Sequence, residues 1–220
     1  MAYGMKNILI CLFGSSIIEG RIGVEDPCQR WYNIFQAMLS KTFPEKCFPI
    51  VNSAVGGEST REIMARFDRD ILPYNPDFCI FMAGANNHDC THPERILAEG
   101  EFESLMEDFS KRLPGKTRPV GVVLNPVVDK WHFAARHPAF KEYLREFGGS
   151  LDASLAKERN QARSFYTEHR WPYLDLYSLM SGHPSRYLLE SDGIHMNRAG
   201  HELFGQKMFG IFKNILTNQT

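Results

Sequence analysis

The chain has 220 residues, of which 43% are hydrophobic and 23% charged, the composition of a soluble globular protein. Its 25 basic side chains nearly balance its 26 acidic ones, which excludes the strong positive field of proteins that bind nucleic acid or anionic membranes. The apolar run Ile8–Phe13 is too short for a signal peptide, and no run is long enough to span a membrane. Five cysteines spread singly along the chain predict free thiols in a reducing compartment. We therefore expect a cytoplasmic protein with one domain over residues 1–220 and no membrane or nucleic-acid partner.

Short apolar runs alternate with helical patterns from end to end, which is typical of βαβ units around a mainly parallel sheet. In chain order, the apolar runs predict strands at Asn7–Phe13, Cys47–Asn52, Phe78–Met82, Val120–Leu124 and Tyr173–Leu176. Apolar residues at spacings of three and four, among other helical patterns, predict helices at Pro27–Leu39, Ser59–Ile71, Glu101–Leu113, Leu151–His169 and Arg198–Leu216. The alternation predicts an α/β fold.

One segment interrupts this alternation. Residues 125–149, which follow the fourth predicted strand, are rich in aromatic and histidine side chains. Connections of this length in α/β domains are usually lids or substrate loops. A surface excursion that packs its own aromatic side chains would give the same pattern.

Polar and small residues follow the predicted strands, where α/β sheets bind their ligands. Ser16 comes after the first strand, Gly57 after the second and Asn86 after the third. Near the C-terminus, Asp192 precedes His195 by three residues in a turn that contains glycine. We expect these five residues to meet at one edge of the sheet.

The combination fits acyl transfer, which needs a hydroxyl nucleophile, an imidazole base, a carboxylate that orients the imidazole, and donors for the oxyanion. Ser16, His195 and Asp192 can supply the first three. The backbone N–H groups of Ser16 and Gly57 and the side-chain amide of Asn86 can supply the donors. Taken singly, each residue has a plainer role: Asp192 could cap the last helix, and Gly57 could only form a turn.

Four sequence blocks carry a resemblance to a known family: Gly14-Ser15-Ser16-Ile17, Asn52–Gly57, Gly84-Ala85-Asn86-Asn87 and Asp192-Gly193-Ile194-His195. In this order they resemble the blocks of the SGNH (GDSL-type) esterases and lipases, and weaker similarity spans nearly the whole chain. The resemblance implies a flavodoxin-like three-layer α/β/α fold with about five parallel strands. It places the nucleophile on Ser16 rather than Ser15, oxyanion donors on Ser16, Gly57 and Asn86, and the acid and base on Asp192 and His195.

Two positions depart from the family pattern. The usual aspartate before the nucleophile is Ser15 here, and the usual aspartate after the third-block asparagine is Asn87. Neither position takes part in proton transfer, so we expect altered local hydrogen bonding rather than loss of activity.

The leading hypothesis is a serine hydrolase that cleaves a small O-acyl ester, such as an acetylated carbohydrate, without a cofactor or metal. The alternative is a non-catalytic carbohydrate- or ester-binding protein on the same fold. A nucleotide-binding function is disfavoured because the first strand lacks a phosphate-binding glycine loop, and a metal site at residues 88–92 because no known metal motif is completed. The sequence does not indicate an oligomeric state.

Overall fold

A computed structural model describes residues 6–218. Five strands form one parallel sheet, and two short strands form a separate parallel pair. The strands are β1 (Lys6–Asn7), β2 (Ile10–Phe13), β3 (Lys46–Cys47), β4 (Ile50–Asn52), β5 (Phe78–Phe81), β6 (Arg118–Val123) and β7 (Tyr173–Asp175). The main sheet has the order β4-β2-β5-β6-β7, and β1 pairs with β3.

Eleven α-helices lie in the described part of the chain. They are α1 (Ser16–Glu19), α2 (Trp31–Thr42), α3 (Thr60–Ala65), α4 (Phe67–Asp70), α5 (Glu101–Arg112), α6 (Pro138–Tyr143), α7 (Leu151–Ser154), α8 (Ala156–Glu168), α9 (Leu176–Met180), α10 (Pro184–Tyr187) and α11 (Arg198–Thr217). Short 3-10 turns occur at Pro27–Gln29, Leu72–Tyr74, Ala85–His88, Pro93–Arg95, Phe133–Ala135 and Leu144–Phe147.

The predicted α/β fold and parallel sheet are confirmed, although several element boundaries differ. The first two predicted strands are each split in two, because Pro49 has no N–H to continue the ladder between residues 6–13 and 46–52. The last predicted strand ends one residue early. The Asp175 carboxylate accepts the Ser178 N–H at 3.0 Å and so caps a helix that begins at Leu176.

Both faces of the sheet are buried, which makes the fold three layers. Alternate residues of β2 point to opposite faces: Ile10 and Leu12 join one core cluster, and Cys11 and Phe13 join the other. On the first face α2 packs against α11, and the rings of Trp31 and Phe204 stack at 4.0 Å between centroids. On the second face α5 covers the sheet, with Phe81 and Phe109 stacked at 3.9 Å.

This arrangement places the site. All the strand pairs of the main sheet are parallel, so their carboxyl ends emerge at one edge. Strand β2 lies between β4 and β5, and the loops after these three strands carry Ser16, Gly57 and Asn86. Within residues 6–218, no helix is long and apolar enough to cross a membrane. The five cysteines are free, as predicted.

We predict that Gly121→Ala destabilises the fold. Gly121 lies on β6, where an added Cβ would come within 2.6 Å of the buried Tyr166 ring. Overpacking of this kind costs about 1–3 kcal/mol, which urea-induced unfolding measures. The control is Gly210→Ala in α11, where a Cβ meets nothing within 4 Å and the change should stabilise the helix by about 0.5–1 kcal/mol. If Gly121→Ala and Gly210→Ala unfolded at the same urea concentration, the close packing of Gly121 against Tyr166 would be contradicted.

Candidate active site

The turn after β2 buries one serine and presents the other to a pocket. Ser15 is 3% exposed, whereas Ser16 begins α1, is half-buried and lines the pocket. Glycine is required just before them, because a Cβ on Gly14 would lie 2.8 Å from the carbonyl oxygen of Met82. The turn therefore packs tightly against the chain that leaves β5.

Ser16, His195 and Asp192 form a continuous hydrogen-bonded chain. The Ser16 Oγ lies 2.8 Å from His195 Nε2, and His195 Nδ1 lies 2.9 Å from an Asp192 carboxylate oxygen. Because Nδ1 faces the carboxylate, it carries the ring proton and leaves the Nε2 lone pair to accept the serine hydroxyl. This is the arrangement that proton removal from a serine requires.

The Asp192 carboxylate is held by its own turn. One oxygen accepts the backbone N–H groups of Ile194 at 3.0 Å and His195 at 2.9 Å, and the other accepts the His195 ring. Partial burial raises the pKa of Asp192, but these hydrogen bonds outweigh it and lower the pKa from 3.8 to about 2. Asp192 does not cap the last helix, because Asn197 does so by accepting the Gly200 N–H.

The loop after β4 lies directly against Ser16. A Cβ on Gly56 would be 3.5 Å from the Ser16 Cβ, and the Val55 N–H donates to the Gly14 carbonyl at 3.1 Å. Gly57 has φ +83°, a conformation that favours glycine. Within residues 6–218, neither the Gly57 N–H nor the Ser16 N–H donates to another backbone or side-chain group. Both are therefore available to a ligand.

The Asn86 side chain lines the same pocket. Its amide nitrogen donates one hydrogen to the Glu58 carbonyl at 2.9 Å, which links the loops after β4 and β5. An amide nitrogen has two hydrogens, so the second remains for a ligand. The Glu58 carboxylate pairs with Arg66 at 2.5 Å and ties this loop to the segment between α3 and α4.

The two departures from the family pattern have different surroundings. Asn87 is 2% exposed and fully engaged: its oxygen accepts the Thr60 N–H at 2.8 Å, and its nitrogen donates to the Thr60 hydroxyl and to Glu158 at 3.1 Å. An aspartate here would set two carboxylates together, so the amide suits this site. Ser15 occupies the N-cap position of α1 but makes no side-chain cap bond.

The pocket at the edge of the sheet has a volume of about 150 Å³. Its polar end holds Ser16, Asn86 and His195, and its apolar wall includes Phe133, Phe140 and Leu151. Two of these aromatic residues come from the segment 125–149. The segment therefore lines the pocket, as a substrate loop would, and it also packs its own aromatic side chains, with Phe133 and Phe140 at 5.4 Å between ring centroids.

The same segment also clamps the turn that carries His195. The Val128 N–H donates to the Gly193 carbonyl at 2.8 Å, and the Asn125 amide donates to the Ile194 carbonyl at 2.9 Å. A Cβ on Gly193 would lie 2.5 Å from the Val128 carbonyl oxygen, so only glycine allows this approach. Behind the clamp, the buried Arg159 guanidinium donates to the Asn125 carbonyl at 2.9 Å.

Sequence reasoning left His88 without a role. Its ring lines the pocket, hydrogen-bonds to the Tyr143 hydroxyl and lies 3.3 Å from Glu158. His92 instead pairs with Asp89 at 2.8 Å. Among residues 6–218, no group of three or more His, Cys, Asp or Glu side chains is arranged to hold a metal ion. Its position two residues after Asn86 is the sequence feature that could have indicated a place in the pocket.

Sequence reasoning also missed His132, a second imidazole in the pocket. Burial lowers its pKa against the opposing pull of Asp192 and Asp129. Its Nδ1 accepts the Ala134 N–H at 3.2 Å, so the neutral ring carries its proton on Nε2. No sequence motif marks this residue, because it reaches the pocket only through the path of the segment 125–149.

A model of the GDSL-like lipase/acylhydrolase family matches residues 12–203. The chain belongs to this family. As a member of the GDSL-like lipase/acylhydrolase family, it is a carboxylic ester hydrolase. A search of curated proteins gave no significant match.

Solved structures of this family share the fold. A lipase/acylhydrolase from Enterococcus faecalis superposes with a TM-score of 0.71 at 20% identity, covering 94% of this chain and 96% of that one. An acetyl xylan esterase has a TM-score of 0.65 at 15% identity, covering 92% and 98%. A two-domain esterase active on acetylated mannans has a TM-score of 0.65 at 20% identity, covering 98% of this chain and 51% of that one.

Proposed function

We propose that this protein is a serine esterase that removes a short acyl group from an O-acyl ester through an acyl-enzyme intermediate. The observation that carries the proposal is the unbroken chain of hydrogen bonds from Ser16 through His195 to Asp192 at the mouth of the pocket. An imidazole held in one tautomer beside a serine hydroxyl is what a general base needs to activate that hydroxyl.

The reaction follows from this geometry. Ser16 Oγ attacks the ester carbonyl while its proton passes to His195 Nε2, and Asp192 stabilises the imidazolium that forms. The carbonyl oxygen becomes an oxyanion, which the Ser16 N–H, the Gly57 N–H and the free Asn86 amide hydrogen can meet. His195 then gives its proton to the departing alkoxide. Water repeats the cycle on the acyl-enzyme, releases the acid and restores Ser16.

The pocket volume limits the acyl group. A protein cavity of about 150 Å³ holds a molecule of roughly benzene size, so the pocket here fits an acyl chain of few carbons. The alcohol half is less constrained by this pocket. Two structural neighbours act on acetylated xylan and mannan, which supports an acetylated carbohydrate as the substrate class.

Ser16→Ala should abolish hydrolysis of p-nitrophenyl acetate, lowering kcat by roughly a thousandfold or more because the nucleophile is lost. The variant should also fail to react with a fluorophosphonate probe, which labels activated serines. The matched control is Ser15→Ala, which removes the neighbouring hydroxyl and should keep most of the activity. Unchanged turnover in Ser16→Ala, with a normal melting temperature, would remove the assignment and favour a non-catalytic binding protein.

Asn86→Ala should lower kcat by about a hundredfold or more, the usual cost of losing one oxyanion donor. Asn52→Ala is the control for loop support: its side chain donates to the Glu19 carbonyl at 3.0 Å and accepts the Ala54 N–H, so it braces the loop after β4, to which Asn86 is bonded through the Glu58 carbonyl. We expect less than a tenfold loss there. An Asn86→Ala effect confined to KM would mean that Asn86 only binds substrate.

A series of p-nitrophenyl esters with acyl chains of two to twelve carbons should give the highest kcat/KM at the short end, with a decline beyond about six carbons. Phe133→Ala should extend the range, because Phe133 walls the pocket yet is 52% exposed and can be truncated at small cost to the fold. A kcat/KM that rises steadily toward twelve carbons would show that the acyl chain lies elsewhere.

A further inference from the structure

A second groove adjoins the catalytic pocket. It has a volume of about 520 Å³, and Phe133 lines both spaces. The segment 125–149 contributes Trp131, Phe133, Arg136 and His137 to the groove, while Asp192 and its neighbour Ser191 lie on the other side. The groove thus adjoins the pocket of Ser16 at Phe133.

The position of the groove relative to His195 identifies the half of the ester that it meets. His195 must deliver its proton to the leaving oxygen, so the alcohol lies on the His195 side of the attacked carbonyl. Asp192, which lines the groove, contacts His195 Nδ1 at 2.9 Å. The oxyanion donors at Gly57 and Asn86 come from different loops and do not line the groove. Because Phe133 lines both the pocket and the groove, an alcohol too large for the pocket extends across Phe133 into the groove.

The surface of the groove combines two aromatic rings with one arginine that has no carboxylate partner. Phe133 is 52% exposed, and Trp131 is half-buried in the groove wall. Within residues 6–218, Arg136 forms no salt bridge with a carboxylate, although most arginines of the chain do. The one carboxylate of the groove, Asp192, is already occupied by His195 and two backbone N–H groups.

We propose that this groove binds the alcohol half of the ester and selects alcohols that carry a ring and a negative charge, such as an acidic sugar. The ring packs on Phe133 and Trp131, and Arg136 pairs with the anionic group. This inference rests on the proposed esterase function and deepens it. It assigns the acyl group to the small pocket and charge selection to the larger groove.

The test compares phenyl acetate with 3-acetoxybenzoate, two acetate esters whose leaving groups differ by one carboxylate. In Arg136→Ala, we expect kcat/KM for 3-acetoxybenzoate to fall about threefold to fivefold, the range of a solvent-exposed ion pair, while phenyl acetate is unaffected. Arg136→Lys should restore most of the loss, and added salt should weaken the preference. The control is Arg145→Ala in the same segment, an exposed arginine that pairs with Glu142 and does not line the groove.

A binding measurement separates this inference from the proposed function. In the Ser16→Ala background, tryptophan fluorescence titrations should show 3-hydroxybenzoate binding more tightly than phenol, with Arg136→Ala removing the difference. Binding selectivity without turnover in the wild-type protein would support the groove and contradict the esterase. Turnover with an equal effect of Arg136→Ala on both esters, or no effect on either, would overturn the groove proposal and leave the esterase standing.

Discussion

The hydrogen bond between Ser16 and His195 joins two turns that are 179 residues apart in sequence, and the rest of the site depends on it. A separation of 2.8 Å requires both turns to be fixed by something other than the bond itself. Ser16 is fixed by the sheet, because its turn follows a central strand and packs against the end of β5. His195 lies in a turn outside the main sheet, so another segment of the chain must hold this turn in place.

The segment 125–149 supplies that support. Its backbone and the Asn125 amide hold the turn at Gly193 and Ile194, and the buried Arg159 holds Asn125 in turn. The same segment provides the aromatic wall of the pocket. One connection therefore sets both the position of His195 and the shape of the space beside it. A change in this segment would alter substrate choice and proton transfer together, because the two share one support.

The surroundings of Asn87 show how the loss of a carboxylate at one position can be compensated by a carboxylate from another element. Asn87 replaces a carboxylate of the family pattern, yet Glu158 brings a carboxylate to the same place from α8. Glu158 also faces His88, which bonds to Tyr143 of the segment 125–149. The loop that carries Asn86 is thus tied to α3, α8 and the pocket wall. Asn87 and His88 are both polar and buried, so each hydrogen bond in this network contributes to holding the loop.

The sequence by itself determined the α/β fold and the parallel sheet, because these depend on periodicity, and small polar residues at strand ends pointed to the edge where Ser16, Asn86 and His195 line one pocket. Strand bounds and helix starts were less well determined, since a proline interrupts a strand, as at Pro49, and a side-chain cap ends a strand early by starting a helix, as at Asp175. Only the tertiary structure decided that Asn197 rather than Asp192 caps the last helix, and that His88 and His132 enter the pocket. These outcomes depend on contacts between segments far apart in the chain, and no local pattern of residues encodes which distant segment packs against which.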